Sequence, residues 1–263
     1  SLRRQEGVGH APADDEVLDL KELPHLLIAG ATGTGKSVCL NTIVASMLLT
    51  NSNEQVRLLM VDPKGVELTP YDGIPHLISP VISDPADFGP ALEGLIQVMQ
   101  QRYQRFRDVS ARDIRSYNDG PYKPMPSLVV VVDELAELML SEGRDAESKL
   151  VRLAQLGRAA GIHLVLSTQR PTVDVVTGLL KANIPTRICF TVASQMDSRV
   201  ILDMNGGEDL MGRGDMLFLT KESTQPRRIQ GAYVEEKEIA GIVDFWINQP
   251  LPMTIENAPE VGI

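Results

Sequence analysis

Two hydrophobic rhythms alternate along the chain. Short, unbroken runs rich in valine, isoleucine and leucine occupy 25–30, 56–62, 127–132, 162–167, 186–193, 214–219 and 227–233. Between them, apolar residues recur at helical spacing over 36–49, 86–107, 111–118, 146–159, 195–203 and 235–248. Runs with no polar alternation read as strands covered on both faces, and their alternation with helices predicts an α/β fold built on a mostly parallel sheet. The last two runs are close enough to form an antiparallel hairpin at one edge. Pro121, Pro124, Pro126 and Gly120 break the chain between Asn118 and Pro126. No repeat of fixed period is present. The pattern predicts one domain over 23–249, preceded by a polar linker or remnant of a preceding region over 1–22. A tail over 250–263 follows, with three prolines and no periodicity.

Composition narrows the class. With 263 residues, 43% of them apolar, the chain can bury a sizeable core. Its longest apolar run, Leu128 to Val132, falls far short of the roughly 18–20 residues a membrane helix needs. The opening Ser-Leu-Arg-Arg-Gln-Glu is no signal peptide. The expectation is a soluble chain with no membrane contact of its own. Cys39 and Cys189 lie far apart with no metal-ligand or CxxC spacing, which excludes a disulfide framework and points to a reducing, cytoplasmic setting. A net charge of −10 argues against nucleic-acid binding over the whole surface. It leaves room for a local basic track, since Lys and Arg gather at 102–115, 152–170 and 227–228.

The sharpest chemical signal is Gly30-Ala31-Thr32-Gly33-Thr34-Gly35-Lys36-Ser37, a full GxxxxGK[ST] match between an apolar strand and a helix. Glycines there let backbone N–H groups curl toward phosphate oxygens, and the helix N-terminus adds partial positive charge. Gly30 through Val38 are therefore assigned to a nucleotide, with Lys36 on the β- and γ-phosphates and Ser37 on Mg²⁺. The cofactors implied are ATP and Mg²⁺.

Other strands also end in polar residues. Leu128–Val132 runs into Asp133 and Glu134. Adjacent carboxylates at the end of a buried strand are costly unless a cation compensates. Asp133 fits the Mg²⁺ shell and Glu134 a general base for the attacking water. A compatible, lesser alternative is that Asp133 caps a helix starting at Leu135. Gln169 ends a further strand, where it can orient water or sense the γ-phosphate, or merely enter a turn broken by Pro171. Asp62-Pro63-Lys64 closes another. In open α/β sheets ligands sit at the carboxyl ends of strands, so these ends are expected to share one crevice.

Longer strings resemble the motor domain of FtsK/SpoIIIE DNA translocases. They include Leu23-Pro-His-Leu-Leu-Ile-Ala-Gly30, Tyr71-Asp-Gly-Ile-Pro-His-Leu77, Asp133-Glu-Leu-Ala-Glu137, Gly157-Arg-Ala-Ala-Gly-Ile-His163 and Ser167-Thr-Gln-Arg-Pro171. The stretch from Val173 to Arg187, Asp197-Ser-Arg199 and Gly214-Asp-Met-Leu217 complete them, and the resemblance spans roughly 17–248. It implies a RecA-like ATPase that assembles as a ring, usually a hexamer, around double-stranded DNA. It also implies translocation in chromosome segregation and cell division. Within it, Arg187 and Arg199 are candidates for a cation supplied to the neighbouring subunit's site, with a surface ion pair as the alternative for each. Arg152, Arg158, Arg170 and Lys181 are candidates for DNA phosphates. Arg102, Arg105, Arg112 and Arg115 are expected on a solvated or inter-subunit face. His25, His76 and His163 are expected as buried structural residues. The family's membrane-spanning region, the small domain before the motor and the C-terminal winged helix have no counterpart here, so a shortened motor core is expected. Two other readings stay open: a ring ATPase of a secretion or conjugation coupling system, and a nucleotide-dependent assembly module without sustained turnover.

Overall fold

A computed structural model describes residues 2–4, 15–16 and 18–249. One sheet organises them, with strand order β2-β1-β9-β8-β7-β3-β6-β5-β4. Its strands are β1 (Leu2–Arg4), β2 (Asp15–Glu16), β3 (His25–Ala29), β4 (Val56–Val61), β5 (Ser127–Val132), β6 (Ile162–Thr168), β7 (Thr186–Phe190), β8 (Asp215–Leu219) and β9 (Arg227–Gln230). Five of them, β4-β5-β6-β3-β7, are parallel. Strands β8 and β9 add antiparallel at the β7 edge, as their close spacing predicts.

The helices are α1 (Lys36–Thr50), α2 (Phe88–Asp108), α3 (Ile114–Asn118), α4 (Leu135–Ser141), α5 (Arg144–Ala160), α6 (Gly178–Asn183), α7 (Gln195–Leu202) and α8 (Glu236–Ile247). Period-2 geometry splits the core into two layers. Leu26 and Ile28 point into the layer under α1 and α8, while Leu27 and Ala29 point into the layer under α2, α4, α5, α6 and α7. The parallel strands are buried on both faces because helices cover both, which is why their sequences lack polar alternation.

Several expectations change. Two short strands arise within the polar segment 1–22: β1 pairs antiparallel with β9 and with β2. An edge strand needs only open backbone groups, so no apolar run announces it. The predicted helix at 111–118 begins only at Ile114, because the Asp113 side chain caps it by accepting the Ser116 N–H at 2.8 Å. Arg102 is not on a solvated face: it is buried and donates to Ala160 O at 2.6 Å and Pro126 O at 2.8 Å. It thereby satisfies a terminal carbonyl of α5 beside Gly161, whose φ of 69° ends the helix. Arg105, Arg112 and Arg115 are exposed as expected. His25, His76 and His163 are buried and hydrogen-bonded to the backbone. Burial pushes the Cys39 and Cys189 thiols up to about 12. No helix among the described residues is long and apolar enough to cross a membrane. The predicted tail over 250–263 lies outside the described residues.

Candidate functional site

Crowding explains two of the three glycines of the candidate phosphate-binding loop, Gly30 and Gly35; Gly33 meets nothing and instead has φ 79°. A Cβ on Gly30 would lie 2.5 Å from Phe190 Cβ, and one on Gly35 only 2.6 Å from the Gly214 nitrogen. Gly35 also has φ 114°, a conformation that favours glycine. Gly214 N–H donates to Thr34 O at 2.9 Å, so the turn before β8 braces the loop from behind. That turn is itself tied down by Asp215, which accepts two N–H groups from Arg228 at 2.9 and 2.6 Å. The Arg228 bond holds the Asp215 carboxyl below the usual carboxylate range. Helix α1 then opens at Lys36 with no side-chain cap and no acid in its first turn. An uncapped N-terminus of a 15-residue helix presents unpaired N–H groups and partial positive charge to an anion.

Beside the loop, strands β5 and β6 deliver their terminal side chains. Lys36, 2% exposed, donates to Asp133 Oδ1 at 2.7 Å, Asp133 O at 2.9 Å and Ser167 Oγ at 3.1 Å. Asp133 Oδ2 is buried with no hydrogen-bond partner among the described residues. An orphaned anionic oxygen in a dry site is costly unless a cation or its water shell meets it. That fits Mg²⁺, with Asp133 and the loop residue Ser37 as the groups that would hold it.

Glu134 is 1% exposed and fully engaged. Its Oε1 accepts from Thr168 Oγ1 at 2.6 Å, and its Oε2 accepts from Gln169 N at 3.1 Å. Lys64 Nζ stands 3.6 Å from Oε2. Glu134 also caps α4 by accepting from Ala136 N at 3.3 Å. The cap alternative therefore belongs to Glu134 and not to Asp133. Gln169 reaches the loop directly: Thr32 Oγ1 donates to its Oε1 at 2.7 Å.

Not every polar strand end joins the crevice. Both carboxylate oxygens of Asp62 are taken by its own turn, from Gly65 N at 2.9 Å and Leu68 N at 2.8 Å. Asp62 shapes the chain after β4, and from that turn only Lys64 reaches the site. Lys64, Ser167 and Thr168 also contact the candidate residues, a role that strand-end position alone does not reveal. Each lies in one of the polar strings that follow a strand, Asp62-Pro-Lys64 or Ser167-Thr-Gln-Arg-Pro171.

The basic candidates separate. Arg187 donates to Asp203 Oδ2 at 2.6 Å, Ile201 O at 3.1 Å and Lys181 O at 3.3 Å, with its side chain 11% exposed. Lys181 donates to the same Asp203 at 2.6 Å. Both cations are thus engaged within their own chain. Arg199 is exposed at the end of α7 and donates from Nε to Asn205 Oδ1 at 2.7 Å. Arg152, Arg158 and Arg170 are exposed. Arg158 follows α5 down to the amino-terminal edge of the parallel strands, whereas Arg170 lies past the carboxyl end of β6. A seven-residue strand separates the two, roughly 20 Å. They do not belong to one loop.

Comparison with known proteins agrees with this arrangement. The FtsK/SpoIIIE family model matches residues 5–124 and 119–173. The chain is 49% identical over 254 residues to DNA translocase SpoIIIE of Bacillus subtilis (strain 168), covering 92% of this chain and 32% of that protein. It is 50% identical over 242 residues to DNA translocase FtsK of Caldanaerobacter subterraneus subsp. tengcongensis, covering 91% and 34%. The chain thus spans about a third of the length of these relatives. Among solved structures, the pCW3 conjugation coupling protein TcpA in its monomer form with ATPγS superposes with a TM-score of 0.77 at 29% identity, covering 93% of this chain and 70% of that one. The cytoplasmic domain of the Thermomonospora curvata Type VII secretion ATPase EccC gives 0.77 at 27% identity, covering 90% and 29%.

Proposed function

The chain belongs to the FtsK/SpoIIIE family, and we propose that it is the ATP-hydrolysing core of a motor that moves double-stranded DNA. The observation that carries this reading is the convergence of Lys36, Asp133, Glu134 and Gln169 at adjoining strand ends beside an open helix N-terminus.

The chain's own groups divide the work. The backbone of Gly30 to Val38 and the start of α1 hold the phosphates. Lys36 leaves Asp133 to neutralise the β- and γ-phosphate oxygens, which frees the Asp133 carboxylate as Lys36's charge is transferred to the substrate. Ser37 and Asp133 would hold Mg²⁺, which when bound would offset charge developing on the transferring phosphoryl group. Glu134 accepts a proton from the attacking water, and Gln169 orients that water while reporting to the loop through Thr32.

The motor works as a ring, a hexamer, around DNA, in chromosome partition and cell division in the cytoplasm. Each site is completed by a cation from the neighbouring subunit. Arg199 takes that role in preference to Arg187, because Arg199 is exposed while Arg187 is bonded to Asp203 and two carbonyls. Phosphates of DNA meet Arg170 in a sequence-blind contact, while Arg152 and Arg158 lie away from it on a solvated face of α5.

A second reading, a coupling or secretion ATPase, draws on the likeness to TcpA and EccC. Identity near one half to DNA translocases, against 27–29% to those two, favours the first. A module without turnover would not need Glu134 and Gln169 intact. The test is the ATPase rate with and without linear double-stranded DNA, together with the mass in solution. Stimulation by DNA in an assembled species is expected. Turnover indifferent to DNA would favour the coupling or secretion reading, and no turnover at all would favour the module.

A further inference from the structure

The end of β6 forms a continuous chain of contacts. Ser167 bonds Lys36 and Asp133 O, Thr168 bonds Glu134, and Gln169 bonds Thr32 of the loop. The next residue, Arg170, is exposed. Four consecutive residues therefore run from the buried catalytic carboxylate to the surface.

Thr168 is the bistable member. Its hydroxyl has one proton and two acceptors within reach: Glu134 Oε1 at 2.6 Å and Arg170 O at 3.4 Å. Arg170 N–H in turn donates to Thr168 Oγ1 at 3.1 Å. The hydroxyl is thus bracketed between Glu134 and the Arg170 backbone. In the described arrangement the hydroxyl donates to Glu134 Oε1. The other carboxylate oxygen faces Gln169 N and the Lys64 ammonium. Both carboxylate oxygens are thereby engaged by donors of the same chain, contacts that compete with the alignment of Glu134 on an attacking water. A shift of the Arg170 backbone by a few tenths of an ångström would bring Arg170 O within good bonding distance of Thr168 Oγ1.

We propose that Thr168 is a positioning residue that holds Glu134 in a resting arrangement and releases it when the Arg170 backbone moves. Lys64 supports the same hold from the opposite side. The inference rests on the motor reading above, in which Arg170 meets DNA phosphate; engagement at Arg170 is what turns the Thr168 hydroxyl away. Resting turnover is low for this reason, and DNA raises it.

The test is steady-state ATPase kinetics of the full chain, with and without linear double-stranded DNA. Thr168→Val keeps the shape and removes the hydroxyl. Its kcat without DNA should rise on the order of tenfold, the size of one charge-assisted hydrogen bond. The ratio of kcat with DNA to kcat without should fall toward one, and KM for ATP should change little. Thr168→Ser, which restores the hydroxyl, should restore the wild-type ratio. A merely structural role would lower both rates together and would not be rescued in this pattern. DNA-free kcat in Thr168→Val equal to or below wild type overturns the proposal. Should Thr168→Val fail to bind a fluorescent ATP analogue, Lys64→Met decides: its side chain is 43% exposed, so the fold tolerates the change. A raised DNA-free kcat there supports the hold, and an unchanged or lowered one refutes it. Wild type that ignores DNA would sink the DNA reading, whereas the DNA-free rate of Thr168→Val tests the hold on its own.

Discussion

Strands β4 and β5 lie side by side, parallel, with Val61 opposite Val132, and each runs straight into an aspartate. The two aspartates are equally buried, yet they do different things. Asp62 spends both oxygens on N–H groups of its own turn. Asp133 gives one oxygen to Lys36 and leaves the other without a partner. What makes a strand-end carboxylate a ligand candidate is whether the following turn consumes it. After β4 the chain bends back within six residues and supplies two donors. After β5 it goes directly into α4, whose start is capped by Glu134 and so leaves Asp133 free.

The largest effects should come from breaking the β5 side. Glu134→Gln should keep nucleotide binding and bring turnover to background, because the base is lost while Asp133 and Lys36 remain. Lys36→Ala should abolish turnover and weaken nucleotide binding as well. Rates from phosphate release, with binding from a fluorescent ATP analogue, separate the two. Unchanged turnover in the Glu134 variant would remove that residue from the mechanism.

The same contrast recurs between two arginines. Arg187 is absorbed by Asp203 and two carbonyls, whereas Arg199 projects outward. Arg199→Ala should bind ATP normally and lose on the order of 10³–10⁵ in assembled turnover, the worth of a cation on a transferring phosphoryl group. Arg187→Ala should leave turnover within severalfold and act mainly on folding stability. Mixing is decisive. Arg199→Ala protomers combined with Glu134→Gln protomers should regain activity, since some sites then pair an intact Glu134 with a neighbour's arginine. Mixed rings that stay inactive would reject Arg199 as the trans residue.

On the β4 side the expected loss is of stability. Asp62→Ala strands the N–H donors of Gly65 and Leu68, the latter buried, which should cost about 2 kcal/mol in chemical denaturation. Turnover per folded molecule should stay within severalfold of wild type, rising without DNA as Lys64 is displaced from Glu134. A loss of turnover as deep as that of Glu134→Gln, with stability intact, would place Asp62 in the chemistry after all.

The sequence made the fold legible because the parallel strands are buried on both faces, so their apolar runs are unbroken and their ends abrupt. The loop from Gly30 to Ser37 was legible because its spacing is dictated by phosphate geometry. Asp62 and Asp133 were not distinguishable, since the difference lies in where the next six residues turn. Arg102 and Arg105 look alike on paper, and helical phase sends one under the α5 terminus and leaves the other exposed. Thr168 was hidden for another reason. A threonine at the end of a strand is ordinary until the carboxylate across from it, Glu134, is located. Strands β1 and β2 carry no signal beyond an open edge to pair with.

The smallest effect concerns DNA, and it sharpens the contrast between the two ends of the sheet. Arg170 stands at the carboxyl end with the loop, and Arg158 at the amino end of the strands. A phosphate contact releases counterions, so each one adds about 0.9 to the slope of log affinity against log salt. If Arg170 meets a phosphate, Arg170→Ala should reduce that slope by about 1 and weaken binding uniformly across DNA sequences. Arg158, on a solvated helix face far from the loop, should leave the slope unchanged when replaced by alanine. Fluorescence anisotropy with a labelled duplex over a salt series measures both. The net charge of −10 makes the experiment sensitive, because repulsion by the rest of the chain leaves few compensating contacts. The reverse pattern, a reduced slope for Arg158→Ala alone, would move the DNA track to the amino-terminal edge and leave Arg170 without a phosphate. Equal reductions for both would mean that DNA runs the height of α5, so that Arg152 between them should then show the same change.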